Sequence, residues 1–559
     1  MKEINISDLT LREKIGQTVC VRENLMVKIP NLTEHLKKYP YGCMWAMGNE
    51  INDTVNESHK TDKSGKATAK SYRENAKKIM SATKVPMLMA GNTENNISSL
   101  FPELTRCMSQ MALAATEDCD LVFKQSAAIA REMRASGIQW KWSPNVDIDD
   151  LHNFISYGRG FSDDPDKIIR YASAVIKGTQ SEGVAVSVKH FPGNDDVEYR
   201  DSHFAQTFNL QTREQWDKTN GYIYRELIKA CDPWGIMVGH QALPCVDNTK
   251  MIDGSYIPAT LSYKILTELL KGELGYRGVV ITDAIGMAAL HTLMSENELY
   301  INLILAGNDM ILGPTQTATD DYIDVIEKAV LEGRIPESRI DDACSRVLEM
   351  KKNIGMFKDD YGLDIELTPE LTGQTVKIEE MAAKKAVTLI KNQGMLPLSS
   401  DKVKKVLIAP MAYSEDFDES IRYTGELLSA RGIEVDYLLP GEAWLKYDMT
   451  NIKEYDLVLA ATYMAPHRPF GANTLQGKHI ETLHLLQLSA NSKTIGIAYG
   501  SPHLYFDWFT NTGKAFVAVY NYTNQLQEAL VSALFGEIQF EGKCPFELIP
   551  DYIRNNPFA

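Results

Sequence analysis

Val184-Ala185-Val186-Ser187-Val188-Lys189-His190 is a short apolar run that ends in a lysine and a histidine. Three other runs also have a polar residue at or just beyond their end: residues 85–90 before Asn92, 235–239 before His240, and 278–282 before Asp283. A fifth run, residues 310–312, differs because its polar pair, Asn308-Asp309, comes first. Short apolar runs that alternate with amphipathic stretches indicate an α/β fold with parallel strands.

The shared position of these polar residues predicts a site. In a parallel barrel the active site forms at the carboxyl ends of the strands. We therefore predict that residues 1–354 form a TIM-type (β/α)8 barrel, with Lys189, His190, His240 and Asp283 at one mouth. Each polar residue taken alone is equally well explained as a loop cap or a solvated turn. Four runs that end in the same way favour a shared site.

The carboxyl-terminal part of the chain repeats the alternation on a smaller scale. Apolar runs at residues 406–409, 435–439, 457–460, 495–498 and 516–519 are separated by helical stretches such as 415–431 and 525–534. This pattern predicts a smaller, open α/β sandwich domain over residues 402–559. Residues 355–401 are predicted to connect the two domains, with a polar linker over 355–375 and a helix, or a helix leading into a loop, over 379–391.

Composition narrows the partners that the chain can bind. Its 559 residues carry a formal net charge of −16, which disfavours nucleic acid and anionic membranes. No apolar stretch approaches the roughly 18 residues of a membrane span, and Met1 to Asp8 lack the basic and apolar segments of a secretion signal. We therefore expect a cytoplasmic protein. The eight cysteines are scattered without a metal-binding spacing, and we expect no metal and no cofactor.

The densest group of chemistry-bearing residues runs from Lys189 to His203. Its lysine, two histidines and several carboxylates suit a ligand with many hydroxyl groups, with a solvated charged loop as the alternative. Asp201 and His203 are two positions apart, so that in an extended loop the carboxylate can hold the imidazole and favour its protonated form. Such a pair suits proton donation near neutral pH. Asp283 could attack carbon, activate water or bind metal, and the lack of a nearby carboxylate–histidine spacing favours covalent catalysis.

Two segments of the chain resemble a known family. Lys189-His190-Phe191-Pro192-Gly193 followed by Asp201-Ser202-His203 resembles the signature of the β-N-acetylglucosaminidases of glycoside hydrolase family 3. Tyr276 to Asp283 resembles the family's strand that bears a nucleophilic aspartate. Weaker similarities are spread over nearly the whole chain, at residues 11–17, 142–147, 158–165, 258–262, 535–537 and 542–545.

The resemblance implies a role for each matched residue. In this branch of the family a loop histidine, paired with the aspartate two residues before it, acts as general acid/base. Asp283 would then form a glycosyl-enzyme intermediate, His203 would protonate the departing oxygen and later deprotonate water, and Asp201 would orient His203. Two successive inversions give net retention. Sugar hydroxyls or the acetamido group would be held by Lys189, His190, Arg159 and Asp147, with His240 as a further contact.

Two positions depart from the family pattern. Members usually carry Asp-Gln-Glu-Gly-Gly at the second strand and then an arginine that helps to bind the sugar. This chain has Asn92-Thr93-Glu94-Asn95-Asn96 there, and the stretch up to Leu100 has no arginine. In the signature loop, Asp195 stands where glycine is common, and five residues instead of four separate it from Asp201. The departures therefore fall on the sugar site and on the histidine loop.

The resulting hypothesis is a retaining exo-β-N-acetylhexosaminidase. It would release terminal N-acetylglucosamine from β-linked amino-sugar glycosides such as cell-wall or chitin oligosaccharides. A phosphorylase of the same branch is an alternative, because a histidine acid/base removes negative charge where phosphate would enter. A β-glucosidase is a second, although those relatives generally take the acid/base carboxylate from the second domain. A non-catalytic sugar-binding protein is a third, because a fold does not guarantee an activity.

Overall fold

The computed structural model describes residues 4–48, 67–94, 97–149, 158–195, 198, 200–291, 293–314, 321–358, 361, 365–412, 415–438, 451–463, 475 and 477–549. The chain divides into two compact units. The first contains Met1–Arg106, Val122–Ile148 and Ile168–Val376, and the second contains Cys107–Leu121, Asp149–Lys167 and Lys377–Ala559. Two short segments of the amino-terminal half, one of which includes Arg159, therefore belong to the second unit.

The first unit is built on a nearly closed parallel sheet. Its strands are β1 (Val19–Arg22), β2 (Cys43–Trp45), β3 (Leu88–Gly91), β4 (Trp140–Lys141), β5 (Ala185–Phe191), β6 (Gly235–Val238), β7 (Val279–Thr282) and β8 (Ile311–Leu312). They are hydrogen-bonded in the order β7-β6-β5-β4-β3-β2-β1-β8. A bridge between Ile281 and Met310 links β7 to the residue before β8. The predicted TIM-type (β/α)8 barrel is thereby confirmed.

The inside of the barrel is filled by buried side chains from the strands. Cys20, Trp140, Ala185 and Ile281 belong to one core cluster and are fully buried. Successive side chains of a strand point to opposite faces, so the inward positions recur every second residue. Asp283, two residues after Ile281, continues this inner row at the carboxyl end of the barrel.

Helices of the first unit alternate with these strands. They span Leu11–Gly16, Glu23–Met26, Leu32–Lys38, Ala69–Met80, Cys119–Ala135, Pro165–Ser181, Arg213–Lys218, Asn220–Cys231, Lys264–Glu273, Ala288–His291, Glu296–Ala306, Tyr322–Leu331 and Glu337–Ile354. Several begin at a Ser or Thr cap, as at Thr212, whose hydroxyl accepts a hydrogen bond from the Gln215 N–H at 3.3 Å. In the part of the chain that the structure describes, no helix is long and apolar enough to cross a membrane.

The second unit contains a six-stranded mixed sheet. Its strands are β9 (Thr388–Asn392), β10 (Lys405–Ala412), β11 (Glu434–Tyr437), β12 (Leu457–Tyr463), β13 (Thr494–Ala498) and β14 (Ala515–Ala518), in the order β11-β10-β12-β13-β14-β9. Neighbouring strands are parallel except for β9, which pairs antiparallel with β14. Its helices span Gln110–Ala115, Pro369–Ala386, Glu415–Ser420, Arg422–Ser429, Lys478–Ser489, Tyr505–Phe509 and Asn524–Leu534. The predicted smaller α/β domain is confirmed.

The segment before this sheet differs from the sequence-based prediction in two places. A helix begins at Pro369, inside the predicted linker over residues 355–375, because the Thr368 hydroxyl accepts a hydrogen bond from the Leu371 N–H at 3.3 Å and proline suits the first helical position. The helix ends at Ala386, and Thr388–Asn392 form β9 where the sequence predicts a helix, or a helix leading into a loop, up to residue 391. Pairing with β14, which makes β9 the edge strand of the sheet, decides the structure of this segment.

Candidate active site

Asp283 follows β7 directly. Its own N–H donates to the Val238 carbonyl at 2.8 Å. The Ala284 N–H donates to Asp283 Oδ1 at 2.7 Å, the only hydrogen bond of this carboxylate within the described residues. Burial acts to raise the pKa of Asp283, but attraction to His190 and His240, together with the Ala284 N–H and Lys189, outweighs it and holds the pKa below its ordinary value. Asp283 is therefore an ionised carboxylate with one oxygen open.

Lys189 and His190 lie near the end of β5. Lys189 Nζ forms an ion pair with Glu94 Oε1 at 2.6 Å and donates to Asn92 Oδ1 at 3.0 Å. The buried Asp147 accepts the His190 N–H on Oδ1 at 3.2 Å and contacts His190 Nδ1 through Oδ2 at 2.6 Å. The carboxylate thus places the imidazole proton on Nδ1 and leaves Nε2 facing away from Asp147.

The departure from the family pattern at Asn92 has a local explanation. Where the family resemblance implies an aspartate, this chain has an amide whose oxygen accepts from Lys189, and the counter-charge of Lys189 comes from Glu94, two residues later. The sequence analysis did not select Glu94 as a site residue. Asn95 and Asn96, which complete the altered motif, lie outside the described residues.

His240 is buried beneath the segment that carries Asp283. Its Nδ1 lies 3.0 Å from the Thr260 hydroxyl, and its Nε2 lies 3.1 Å from the Ala284 carbonyl oxygen. A carbonyl can only accept, so Nε2 carries the proton and Nδ1 accepts from Thr260. Burial lowers the pKa of His240, attraction to Asp283 opposes this, and repulsion from His203 adds to it. Both ring nitrogens of His240 are engaged, and the Ala284 contact links the ring to the segment of Asp283; the predicted contact of His240 with a sugar stays a prediction.

The Asp201–His203 pair forms, but in a turn and not in the extended loop that the sequence analysis assumes: the N–H groups of Phe204 and Ala205 both donate to the Asp201 carbonyl at 3.0 Å. Asp201 Oδ1 contacts His203 Nδ1 at 2.7 Å and accepts the His203 N–H at 2.8 Å. The carboxylate holds the proton on Nδ1 and leaves Nε2 for a ligand, and the His203 side chain is 23% exposed. The Ala288 N–H donates to the His203 carbonyl at 3.2 Å. The histidine loop therefore touches the segment that follows Asp283, on the same side of the barrel.

Two buried carboxylates anchor this histidine loop. Asp195 Oδ2 accepts from the Leu210 N–H at 2.6 Å. The Glu198 carboxylate accepts hydrogen bonds from Nε and Nη2 of Arg200 at 2.8 and 2.6 Å and from the Phe208 N–H at 3.0 Å. The two carboxylates tie the start of the loop to its end, so the Asp195 that replaces the usual glycine has a structural role. Sequence reasoning missed Glu198, because no pattern near it shows which distant N–H group it would meet.

Arg159 lies in the second unit, in a loop whose backbone is held firmly. The N–H groups of Gly158 and Gly160 donate to Oδ2 of the buried Asp149 at 3.0 and 3.1 Å. Gln110 Nε2 donates to the Arg159 carbonyl at 3.2 Å. The predicted contact of Arg159 with a sugar stays a prediction.

Known proteins with similar sequences and folds belong to one family. The family "Glycosyl hydrolase family 3 N terminal domain" matches residues 10–350. A beta-N-acetylglucosaminidase/beta-glucosidase from Cellulomonas fimi is 28% identical over 500 residues, which cover 84% of this chain and 85% of that protein. A solved beta-N-acetylglucosaminidase from Paenibacillus sp. str. FPU-7 is 25% identical, with a TM-score of 0.77 and coverage of 97% and 99%. The solved beta-glucoside phosphorylase BglX is also 25% identical, with a TM-score of 0.81 and coverage of 97% and 94%.

Proposed function

Because the chain belongs to glycosyl hydrolase family 3 and is a glycoside hydrolase, we propose that it is a retaining exo-β-N-acetylhexosaminidase that releases terminal N-acetylglucosamine. One observation carries the proposal: an ionised aspartate with an open oxygen follows β7, and the loop of the Asp201–His203 pair contacts the segment just after it. The substrates would be β-linked amino-sugar glycosides such as cell-wall or chitin oligosaccharides.

In the first step Asp283 is the nucleophile. Its open oxygen attacks the anomeric carbon while the bond from that carbon to the leaving oxygen breaks. His203 begins as an imidazolium, with one N–H on Asp201 and the other, on Nε2, donated to the leaving oxygen. The products are a glycosyl ester on Asp283, a free alcohol and a neutral imidazole.

In the second step the histidine acts as a base. Nε2 of the neutral His203 takes a proton from water as the water oxygen attacks the anomeric carbon, and the Asp283 carboxylate departs. Each step inverts the anomeric carbon, so the product retains its configuration. Asp201 stabilises the imidazolium at the start and end of the cycle and keeps the proton on Nδ1 throughout.

The remaining site residues hold the sugar. Lys189 and the Nε2 side of His190 would donate to hydroxyl or acetamido oxygens, and Asp147 fixes the orientation of His190. Arg159 would contact the sugar or its acetamido group, as the family resemblance implies. His240 supports the Ala284 segment, and through it the position of Asp283.

Phosphorolysis is the second candidate. It is supported by the similarity to the beta-glucoside phosphorylase BglX over 97% of this chain and by a histidine acid/base, which places less negative charge near an entering phosphate than a carboxylate would. The two candidates differ in the second step, where phosphate instead of water would attack the glycosyl ester.

Covalent trapping tests the main proposal. An N-acetylglucosaminyl fluoride with a second fluorine on the ring should form a long-lived ester, seen as a mass increase on the peptide that contains Asp283. The Asp283→Asn variant is the control and should show no adduct. Aryl β-glycosides of N-acetylglucosamine and of glucose, each with and without phosphate, then measure sugar choice and acceptor. An adduct on another residue would refute the nucleophile, and phosphate-dependent turnover would favour the phosphorylase.

A further inference from the structure

Arg22 is the last residue of β1 and faces the inside of the barrel. It is in register with Trp45 of β2, which is in register with Ala90 of β3. Ala90 and Cys20, two residues before Arg22, both belong to the core that fills the barrel. The two-residue period of a strand therefore directs the Arg22 side chain into the mouth at the carboxyl ends.

This position brings Arg22 into the neighbourhood of Asp283. Only β8 separates β1 from β7 in the nearly closed sheet. Neighbouring strands are about 4.8 Å apart, so the end of β1 lies roughly 10 Å from the end of β7. A saccharide bound at Asp283 spans such a distance easily.

Among the described residues, the Arg22 guanidinium has no counter-ion. Its Nε is buried without a hydrogen-bond partner, and no carboxylate of the described residues forms an ion pair with it. Burial lowers the pKa of Arg22 from its ordinary value. The residue as a whole is half-buried, and a partly buried charge without a counter-charge gains most from a ligand that brings a negative charge.

Two neighbours give the guanidinium its place. Its Cζ lies 5.3 Å from the ring centroid of Trp45, which allows a cation–π contact. On the other side, Gly313 follows β8 with a φ of +65°, and a Cβ there would lie 2.8 Å from Arg22 Nε. Glycine satisfies both the backbone conformation and the close approach.

Two other basic groups at this mouth already have carboxylate partners. Lys189 is paired with Glu94, and His203 with Asp201. Arg22, in contrast, has no carboxylate partner among the described residues, so its charge is available to a ligand.

We propose that Arg22, held between Trp45 and Gly313, binds an oxyanion of the substrate, and that the enzyme prefers sugars that carry a carboxylate or a phosphate ester to neutral sugars. This inference rests on the proposed glycosidase function of the same mouth. The planar guanidinium matches the geometry of both oxyanions. Hydrogen bonds to charged groups correspond to a preference of about ten- to a hundredfold.

Paired substrates test the proposal. For the aryl β-N-acetylglucosaminide and its 6-phosphate, the measured quantity is the ratio of kcat/KM, acidic to neutral. We expect a ratio of about 10–100 in the wild type, a ratio near one in Arg22→Met, and an intermediate ratio in Arg22→Lys, which keeps the charge but not the fork. Arg334→Met, on an exposed arginine paired with Glu298, is the matched control and should keep the wild-type ratio.

Calorimetry separates this inference from the proposed function. Binding of N-acetylglucosamine 6-phosphate and of N-acetylglucosamine is measured without turnover, after melting curves have shown that each variant is folded. The site is supported if the wild type binds the phosphorylated sugar more tightly than the neutral one and Arg22→Met loses this difference. This holds even if no glycoside is hydrolysed. Equal binding of the two sugars by the wild type, or an unchanged difference in Arg22→Met, overturns it.

Inorganic phosphate identifies the source of the oxyanion. If phosphate only competes with the acidic glycoside, the oxyanion belongs to the sugar. If phosphate accelerates turnover of the neutral glycoside and Arg22→Met abolishes this acceleration, the site holds free phosphate. If phosphate has neither effect at concentrations that saturate Arg22 by calorimetry, the site does not face the substrate and the proposal fails.

Discussion

Two aspartates lie at opposite ends of the same barrel. Asp309 precedes β8, at the amino ends of the strands, and its carboxylate accepts from Lys271 Nζ at 2.7 Å, Arg339 Nη2 at 2.6 Å and the Val280 N–H at 3.0 Å. Asp283 follows β7, at the carboxyl ends, and within the described residues its carboxylate has one hydrogen bond, from the next N–H.

The difference shows what separates a structural carboxylate from a reactive one. Both oxygens of Asp309 accept hydrogen bonds, from two cationic side chains and a backbone N–H, so this carboxylate stabilises the fold. Asp283 is kept ionised by charges that act at longer range, and one of its oxygens stays open. An ionised group with an unfilled hydrogen-bonding position can form a new bond.

The comparison predicts the largest effect at Asp283. Asp283→Asn should lower kcat by about 10⁴-fold or more, because the amide is a poor nucleophile and cannot leave from the intermediate. The thermal midpoint should change little, since the carboxylate makes a single hydrogen bond. Steady-state kinetics and a melting curve on the same sample measure both. Residual activity within about tenfold of the wild type would remove Asp283 from the mechanism.

The opposite pattern is expected at Asp309. Asp309→Asn should lower the free energy of unfolding by about 3–5 kcal/mol, because it leaves buried cations without their counter-charge. Activity per folded molecule should be nearly unchanged. Asp342→Asn is the matched control, because Asp342 pairs with Arg339 and Arg346 but is half exposed. This substitution should lower the free energy of unfolding by only about 0–1 kcal/mol. Denaturant titration measures both, and equal losses would contradict the comparison.

A smaller effect is expected at Glu198, which anchors the histidine loop. Glu198→Gln should lower kcat by about three- to tenfold for aryl glycosides with poor leaving groups and by less for those with good leaving groups. The reason is that a more mobile loop positions the His203 imidazole less accurately against the leaving oxygen. Glu298→Gln is the control, since Glu298 holds Arg334 with a similar fork on the surface. A loss that is independent of the leaving group would assign Glu198 to stability alone.

The smallest effect concerns pH. The lowered pKa of Asp283 means that its ionised form persists below the ordinary value of about 3.9, and that the stability it contributes is lost only as pH falls through the lowered pKa. In His203→Ala, kcat/KM for an activated aryl glycoside should therefore stay flat from pH 7 to about pH 4.5. An acidic limb with a midpoint above about 5 would show that burial, not the neighbouring cations, controls Asp283.

Sequence patterns predicted the barrel from apolar runs at β3, β5, β6 and β7 and a weaker run at β8, and they missed β1, β2 and β4. β1, β2 and β4 span four, three and two residues, and two of them end in a cation, Arg22 or Lys141. Such short segments carry no period of their own. They are strands because both of their neighbours pair with them.

The sequence by itself determined the nature and local spacing of the reactive groups: an aspartate after a buried run, and an aspartate and a histidine two positions apart. Local geometry suffices for the second, although the segment is a turn and not the extended loop that the spacing argument assumed, because an aspartate side chain in a turn bonds to the backbone two residues on. Tertiary structure alone decided that Glu94 meets Lys189, that Glu198 meets Phe208, and that Arg22 has no counter-ion among the described residues. Such pairings depend on how barrel closure and loop folding bring distant parts of the chain together, and no local pattern encodes that.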